Sequence, residues 1–218
     1  MRKQRKRKGT LILGSILAVL SVVYICLIAT VDVQPLGLEN TNIGFATINT
    51  AVAAKLPYSA IFYKISSLLG YSAFLIVAFF VVCGVVQLVK RKSLAKVDRS
   101  ILAMGALFVI TIILYVAFDK IVINYRPVIL PGELELESSF PSSHTMLAIV
   151  VFGSAAIDLK RRLKGNKVGS IIGIVLCLLM LLIVVCRFLS GAHWLTDIVG
   201  GVLIAGALVA WYAYFSKK

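Results

Sequence analysis

The stretch Arg187-Phe-Leu-Ser-Gly-Ala-His193-Trp-Leu-Thr-Asp197 lies between two long apolar runs, where a charged side chain is energetically expensive. His193 and Asp197 are four residues apart at the start of the second run, so on a helix they share one face. A carboxylate there can accept a hydrogen bond from one imidazole nitrogen and leave the other free and basic. Arg187 can hold an anion in front of that nitrogen. The pattern is typical of a histidine that attacks a phosphate. The simpler alternative is a membrane-surface loop with polar anchors.

The composition indicates a membrane protein. Of the 218 residues, 60% are hydrophobic, whereas a soluble domain has roughly 45–50% apolar residues. We therefore predict one integral membrane domain over residues 1–218. The net charge of +14 would suggest a nucleic-acid partner in a soluble protein. Here the charges form short clusters beside apolar runs, so they indicate membrane topology, with the lipid bilayer and not nucleic acid as the partner.

Six apolar runs predict an all-α bundle of six transmembrane helices. The predicted spans are residues 10–30, 65–89, 101–118, 145–159, 168–186 and 195–215. Most approach the roughly 20 residues that cross a bilayer core. The first run exceeds the apolar part of a signal peptide, about 7–15 residues, and no convincing cleavage site follows it. The fourth run is short, so its helix is expected to begin below the membrane surface. The loop 31–64 can hold short interfacial helices.

The distribution of basic residues predicts the orientation. Six spans put both termini on one side, and that side holds 18 of the 23 Lys and Arg residues. Basic loops stay in the cytoplasm. We therefore predict a multi-pass protein of the plasma membrane with both termini cytoplasmic and an outward-facing active site on the non-cytoplasmic side.

A second histidine is predicted on the same outer side. His144 follows Pro141-Ser142-Ser143, a sequence that can start a helix whose N–H groups and dipole face an anion. A histidine in that position can donate a proton to a leaving group. A plain helix N-cap is the alternative.

Lys120 and Arg126 lie at the outer end of the third span. They can be anchors that snorkel to the interface. They can instead hold phosphate oxygens, through the compact ammonium charge of Lys120 and the forked guanidinium of Arg126. Pro127 ends the helix and directs Arg126 into the loop. Two histidines and one aspartate among three cations would repel a divalent ion, so we expect no metal and no cofactor.

Together these residues resemble the type 2 phosphatidic acid phosphatase family. Its signature is a lysine followed by Arg-Pro, then Pro-Ser-Gly-His, then Ser-Arg with five residues to His and three more to Asp. The matching positions are Lys120 with Arg126-Pro127, Pro141-Ser142-Ser143-His144, and Cys186-Arg187 with His193 and Asp197. In three departures, Lys120 is one residue closer to Arg126, Ser143 replaces the glycine, and Cys186 replaces a serine. The motifs cover the chain from Asp119 onward, and the first half matches by topology only.

The resemblance implies a metal-free hydrolysis in two steps. His193 would attack phosphorus and form a phosphohistidine, Asp197 would orient His193, and His144 would protonate the leaving oxygen before water releases phosphate. The expected phosphate-binding groups are Lys120, Arg126, Arg187 and the N–H groups of Ser142 and Ser143.

The predicted function is a lipid phosphate or diphosphate phosphatase. Candidate substrates are polyprenyl diphosphate, phosphatidate and phosphatidylglycerol phosphate. A lipid phosphotransferase that uses the same phosphohistidine is an open alternative. Vanadate-binding haloperoxidases share the motif set but are soluble. A transporter would spread charges through its spans, whereas here they collect at one face.

Overall fold

A computed structural model describes the backbone of residues 2–217 and the side chains of residues 8–217. The basic side chains of Arg2–Arg7 and Lys218, which contribute to the predicted orientation, lie outside this part. The α-helices of the described chain are α1 (Arg2–Thr30), α2 (Ala46–Lys55), α3 (Ala60–Arg91), α4 (Arg99–Lys120), α5 (Ser143–Arg162), α6 (Lys167–Leu189) and α7 (Leu195–Phe215). All except α2 are long and apolar enough to cross a membrane. The prediction of an all-α, six-span, multi-pass membrane protein is confirmed.

Each predicted span lies within one of these helices, and the last coincides with α7. The largest difference is in α1, which begins at Arg2, eight residues before the predicted start, and α3 begins at Ala60, five residues early. Helix α5 continues through Lys160–Arg162, where cations are favoured by the negative end of the helix dipole. Apolar runs therefore locate the spans, but hydrogen bonding extends the helices beyond the apolar residues.

Helices α5 and α7 are the inner helices of the bundle. More than half of the most apolar stretch of each is buried, against less than a quarter in the other four spans. Helix α5 packs against α3, α4, α6 and α7, and α1 packs on the outer side of α7. Val150, Val151 and Phe152 of α5 are fully buried. The fourth predicted run is short because its helix faces protein instead of lipid and can carry polar residues such as Ser154 and Asp158.

Small residues let α5 approach α7 at the end that carries the predicted site. A Cβ atom added at Gly201 would lie 3.1 Å from the carbonyl oxygen of Ser142 and 3.2 Å from Cβ of Thr145. One added at Gly200 would lie 2.2 Å from the ring of Phe140. The segment that leads into α5 therefore packs directly on the first turns of α7.

The loop between α4 and α5 folds back on itself. The amide N–H of Arg126 donates to the carbonyl of Glu137 at 3.0 Å, and that of Ser139 donates to the carbonyl of Asn124 at 2.9 Å. The indole N–H of Trp194 donates to the carbonyl of Tyr125 at 2.7 Å. This pairing places Arg126 beside Glu137 and fastens the loop to the start of α7.

Helix α1 runs antiparallel to α7, since Tyr24 donates a hydrogen bond to the carbonyl of Thr196 near the start of α7 and Gly14 lies against Trp211 near its end. The beginning and the end of the described chain therefore lie at one end of the bundle, and the candidate site lies at the other. That the termini face the cytoplasm rests on the charge count and stays a prediction.

Candidate active site

His193 is buried at the start of α7, with 7% of its surface exposed. Arg126 places a guanidinium nitrogen 3.0 Å from Nε2 of the imidazole. Because arginine only donates, Nε2 must be the acceptor, and the proton lies on Nδ1. Nδ1–H donates to the carbonyl of Ser139 at 3.1 Å. Both contacts select the same neutral tautomer, in which Nε2 keeps its lone pair.

The surroundings also keep His193 neutral. Burial is the largest cause that holds its pKa well below 6.5, and the positive charges of Arg126, Arg187 and His144 lower it further. A neutral imidazole is the form that can act as a nucleophile.

We expect His193 of the unliganded protein to titrate well below pH 6.5. In the unfolded chain, the imidazole takes up a proton near its ordinary pKa of 6.5. The contribution of His193 to the free energy of unfolding is therefore fully present above pH 6.5 and decreases as the pH falls below that value. ¹⁵N NMR of histidine-labelled protein measures the titration, and His144→Gln leaves one imidazole to assign. Binding of a phosphate dianion should raise the pKa. Titration at pH 6.5 or above in the unliganded protein would contradict the assigned neutral state.

Asp197 is fully buried, but it does not accept the expected hydrogen bond from His193. Its Oδ2 lies 3.6 Å from Nδ1 of the imidazole, which is longer than a hydrogen bond. The carboxylate instead accepts from the amide of Trp194 at 2.9 Å and from the side chain of Asn124 at 3.3 Å. The expected contact is wrong because the carbonyl of Ser139 takes the Nδ1 proton. Asp197 holds the first turn of α7 and lies beside the imidazole.

Arg187 ends α6 with 1% of its surface exposed. Its guanidinium carbon lies 4.5 Å from the centre of the Tyr63 ring of α3, a favourable cation–π contact. Nε and one terminal nitrogen are buried with no hydrogen-bond partner among the described residues. Buried donors of this kind are costly unless something accepts from them. The oxygens of a phosphate would satisfy both.

The segment that starts α5 supplies a different donor set from the one expected. The amide N–H of Ser142 donates to the carbonyl of Asp197 at 3.0 Å, so it is engaged and cannot bind phosphate as expected. The hydroxyl of Ser142 is buried and has no hydrogen-bond partner within residues 8–217. The N–H groups in the first turn of a helix lack intrahelical partners, which leaves those of Ser143 and His144 for an anion.

Two cavities meet at the start of α5. A polar cavity of about 340 Å³ is lined by His193, Arg126 and Ser143. An apolar groove of about 450 Å³ between α3, α4 and α5 is lined by His144 and again by Ser143. His144 also contacts α3, since a Cβ atom added at Gly70 would lie 3.4 Å from its ring. His193 and His144 therefore face two adjoining spaces.

Lys120 is the predicted site residue that the structure does not bring to this cluster. Its side chain is 79% exposed, and its ammonium lies 3.3 Å from the carboxylate of Asp119. It does not line the polar cavity. This placement fits an interfacial anchor, one of the two roles that the sequence allows for Lys120.

Four supporting residues were not predicted as part of the site. Asn49 of α2 donates to the hydroxyl of Thr196 at 2.9 Å and accepts from its amide at 3.3 Å. The others are Tyr63, Asn124 and Ser139, described above. The sequence of the loop 31–64 indicates turns, but no local pattern in it indicates that Asn49 contacts a residue 147 positions away. Ser139 contributes a backbone carbonyl, for which side-chain patterns carry no signal.

Asn49→Ala should destabilise the start of α7. The substitution leaves the amide of Thr196 and the carbonyl of Gly44 without their buried partner, a loss of about 1–3 kcal/mol. Thermal unfolding in detergent should show a lower midpoint, and turnover should fall because Asp197 follows Thr196. Thr50→Ala, on the same helix but bonded only to carbonyls of its own helix, is the control. Equal midpoints for the two variants would show that α2 does not support the site.

The sequence profile of the PAP2 superfamily matches residues 102–218, more than half of the chain. The chain therefore belongs to the PAP2 superfamily, and the resemblance inferred from the motifs is confirmed. No curated protein sequence matches the chain.

The fold is similar to that in the crystal structure of the first transmembrane PAP2-type phosphatidylglycerolphosphate phosphatase from Bacillus subtilis. The TM-score is 0.64 with 19% sequence identity, and the match covers 92% of this chain and 94% of the other. At that identity the likeness shows a shared fold.

Proposed function

We propose that this protein is a membrane-embedded lipid phosphatase that hydrolyses a phosphomonoester or diphosphate through a phosphohistidine on His193, without a metal. Membership of the PAP2 superfamily supports the phosphatase class. The reaction, its residues and the lipid are inferred from the site.

The observation that carries the proposal is the pairing of a nucleophile with an anion site. His193 is neutral with its lone pair on Nε2, and the charge of Arg187 acts on it. Arg187 has two buried guanidinium nitrogens for which the described residues offer no acceptor. A phosphate bound there would present phosphorus to an imidazole that is ready to attack it.

The first step forms a bond from Nε2 of His193 to phosphorus and breaks the bond from phosphorus to the lipid oxygen. His144 gives its proton to that leaving oxygen. Arg126 must first turn from Nε2 toward the phosphate, where it and Arg187 stabilise the growing negative charge. In the second step His144 takes a proton from water, the water oxygen attacks phosphorus, and His193 leaves as the neutral imidazole.

The shape of the site supports a lipid substrate. The phosphate would lie in the polar cavity with His193, while an acyl or prenyl chain would occupy the apolar groove beside Phe74 and Phe152. His144 lines the groove at the junction, where the bond between head and tail would lie. A soluble phosphate ester would gain nothing from the groove.

Phosphate release by purified protein in detergent tests the proposal. The panel should contain phosphatidylglycerol phosphate, phosphatidate and a polyprenyl diphosphate, with glycerol 3-phosphate as the tail-free comparison. We expect at least one lipid to be hydrolysed faster than glycerol 3-phosphate, with the rate unchanged by EDTA. Loss of activity in EDTA with rescue by magnesium would overturn the metal-free reaction. Absence of release from every lipid would overturn the proposed function.

A further inference from the structure

Arg126 covers the nucleophile in this structure. One terminal nitrogen of its guanidinium donates to Nε2 of His193 at 3.0 Å and contacts the carbonyl of Ala192 at 3.2 Å. Its Nε donates to a carboxylate oxygen of Glu137 at 2.9 Å. The lone pair on Nε2 that would attack phosphorus therefore accepts a hydrogen bond from Arg126, and Glu137 holds the guanidinium of Arg126 in this position.

Glu137 takes a place on Arg126 that suits a phosphate oxygen. Carboxylates and phosphates bind the guanidinium fork in the same way, so the two anions are alternatives for one donor. The side chain of Arg126 is 10% exposed and that of Glu137 is 42% exposed, and both line the polar cavity. Glu137 can thus leave the ion pair toward solvent, and Arg126, once released from Glu137, can turn from Nε2 of His193 toward a phosphate in the cavity.

We propose that Glu137 competes with phosphate for Arg126. Before substrate binds, Glu137 holds Arg126 over His193, and it pairs with Arg126 again when phosphate leaves. The inference rests on the proposed function and deepens it. The entering phosphate displaces Glu137, so Arg126 swings away from Nε2 only when a substrate is present. After hydrolysis, the return of Glu137 removes one cation from the phosphate and promotes its release. Glu137 is a positioning residue, since it acts through Arg126.

Glu137→Gln tests this role, because glutamine keeps a hydrogen-bond acceptor and loses the charge. The inhibition constant of inorganic phosphate and the KM should both fall, by roughly two- to fivefold, the scale of a partly exposed ion pair. The rate constant kcat should fall or stay level, since release of phosphate becomes slower. A merely structural role predicts the reverse, with weaker phosphate binding as Arg126 loses its support.

Glu133→Gln and Glu135→Gln are the matched controls. Both residues line the same cavity, and neither forms an ion pair with a described residue. They should change phosphate affinity by less than about twofold, since exposed charges are screened by salt. An equal gain in all three variants would overturn the proposal, because it would show a general effect of cavity charge. Unchanged or weaker phosphate binding in Glu137→Gln would overturn it too.

Direct binding of inorganic phosphate, measured by calorimetry in detergent, separates this inference from the proposed function. If no lipid is hydrolysed but Glu137→Gln binds phosphate more tightly than the wild type, the inference stands and the proposed function fails. If lipid is hydrolysed and the two affinities are equal, the proposed function stands and the inference fails. Absence of phosphate binding in both proteins would overturn the inference.

Discussion

His193→Ala should abolish phosphate release, which is the largest effect expected for any single substitution. The variant removes the nitrogen that forms the bond to phosphorus, and the described chain offers only His144, at the start of a different helix, α5, as another imidazole. Asp197→Asn should also lose most of the activity: it keeps an acceptor for the amide of Trp194, but it removes the carboxyl group that would balance the charge of a phosphorylated imidazole. Phosphate release in detergent measures both variants.

The choice of leaving group distinguishes the two histidines. His144→Ala should cost about 10²–10⁴-fold on an alkyl phosphate, the range of a lost general acid. On p-nitrophenyl phosphate the cost in kcat/KM, which reports only the first step, should be much smaller, since nitrophenolate leaves without a proton. His193→Ala should be inactive on both substrates. Near-normal turnover by His193→Ala, or equal losses of His144→Ala in kcat/KM on both substrates, would contradict the assigned roles.

Arg187→Ala should also give a large loss of activity. The variant removes a buried cation with two guanidinium nitrogens for which the described residues offer no acceptor. Loss of a charge-assisted contact costs roughly 1.5–3 kcal/mol, or about ten- to a hundredfold in kcat/KM. Arg187→Lys should recover only part of the activity, because lysine keeps the charge but lacks the fork. Steady-state kinetics with increasing phosphate as inhibitor measures both effects.

Arg126→Ala and Lys120→Ala complete the comparison. Arg126→Ala should be as impaired as Arg187→Ala, since Arg126 contacts His193. Lys120→Ala should stay within about twofold of the wild type, because its side chain is exposed and paired with Asp119. A Lys120 variant as inactive as the arginine variants would show that the lysine reaches the phosphate during turnover. An active Arg187 variant would contradict the phosphate site as a whole.

The spans were predictable because the bilayer requires long apolar segments, and that requirement is local in sequence. The position of α5 inside the bundle was partly predictable from its shorter apolar run. The residue at which α5 begins was harder to predict, because the amide of Ser142 donates to a carbonyl from α7. That contact joins segments that are far apart in the chain.

Motif spacing assigned Arg187, His193 and Arg126 to one site, and the structure brings these side chains to one end of the bundle. It failed for the hydrogen bond from His193 to Asp197. Spacing can say that two side chains share a helix face, but it cannot say that a carbonyl from another loop, here that of Ser139, accepts the imidazole proton instead. It also left Lys120 undecided, since a lysine at a helix end can snorkel or bind phosphate. Only its exposure distinguishes the two.

The most direct test of the account is to trap the phosphorylated enzyme. Rapid mixing with a ³²P-labelled lipid phosphate, followed by an alkaline quench that preserves phosphohistidine, should give a labelled protein. Peptide mapping by mass spectrometry should place the label on His193, and Arg187→Ala should reduce it. Label on another residue would contradict the central claim, as would fast turnover that leaves His193 unlabelled at every quench time.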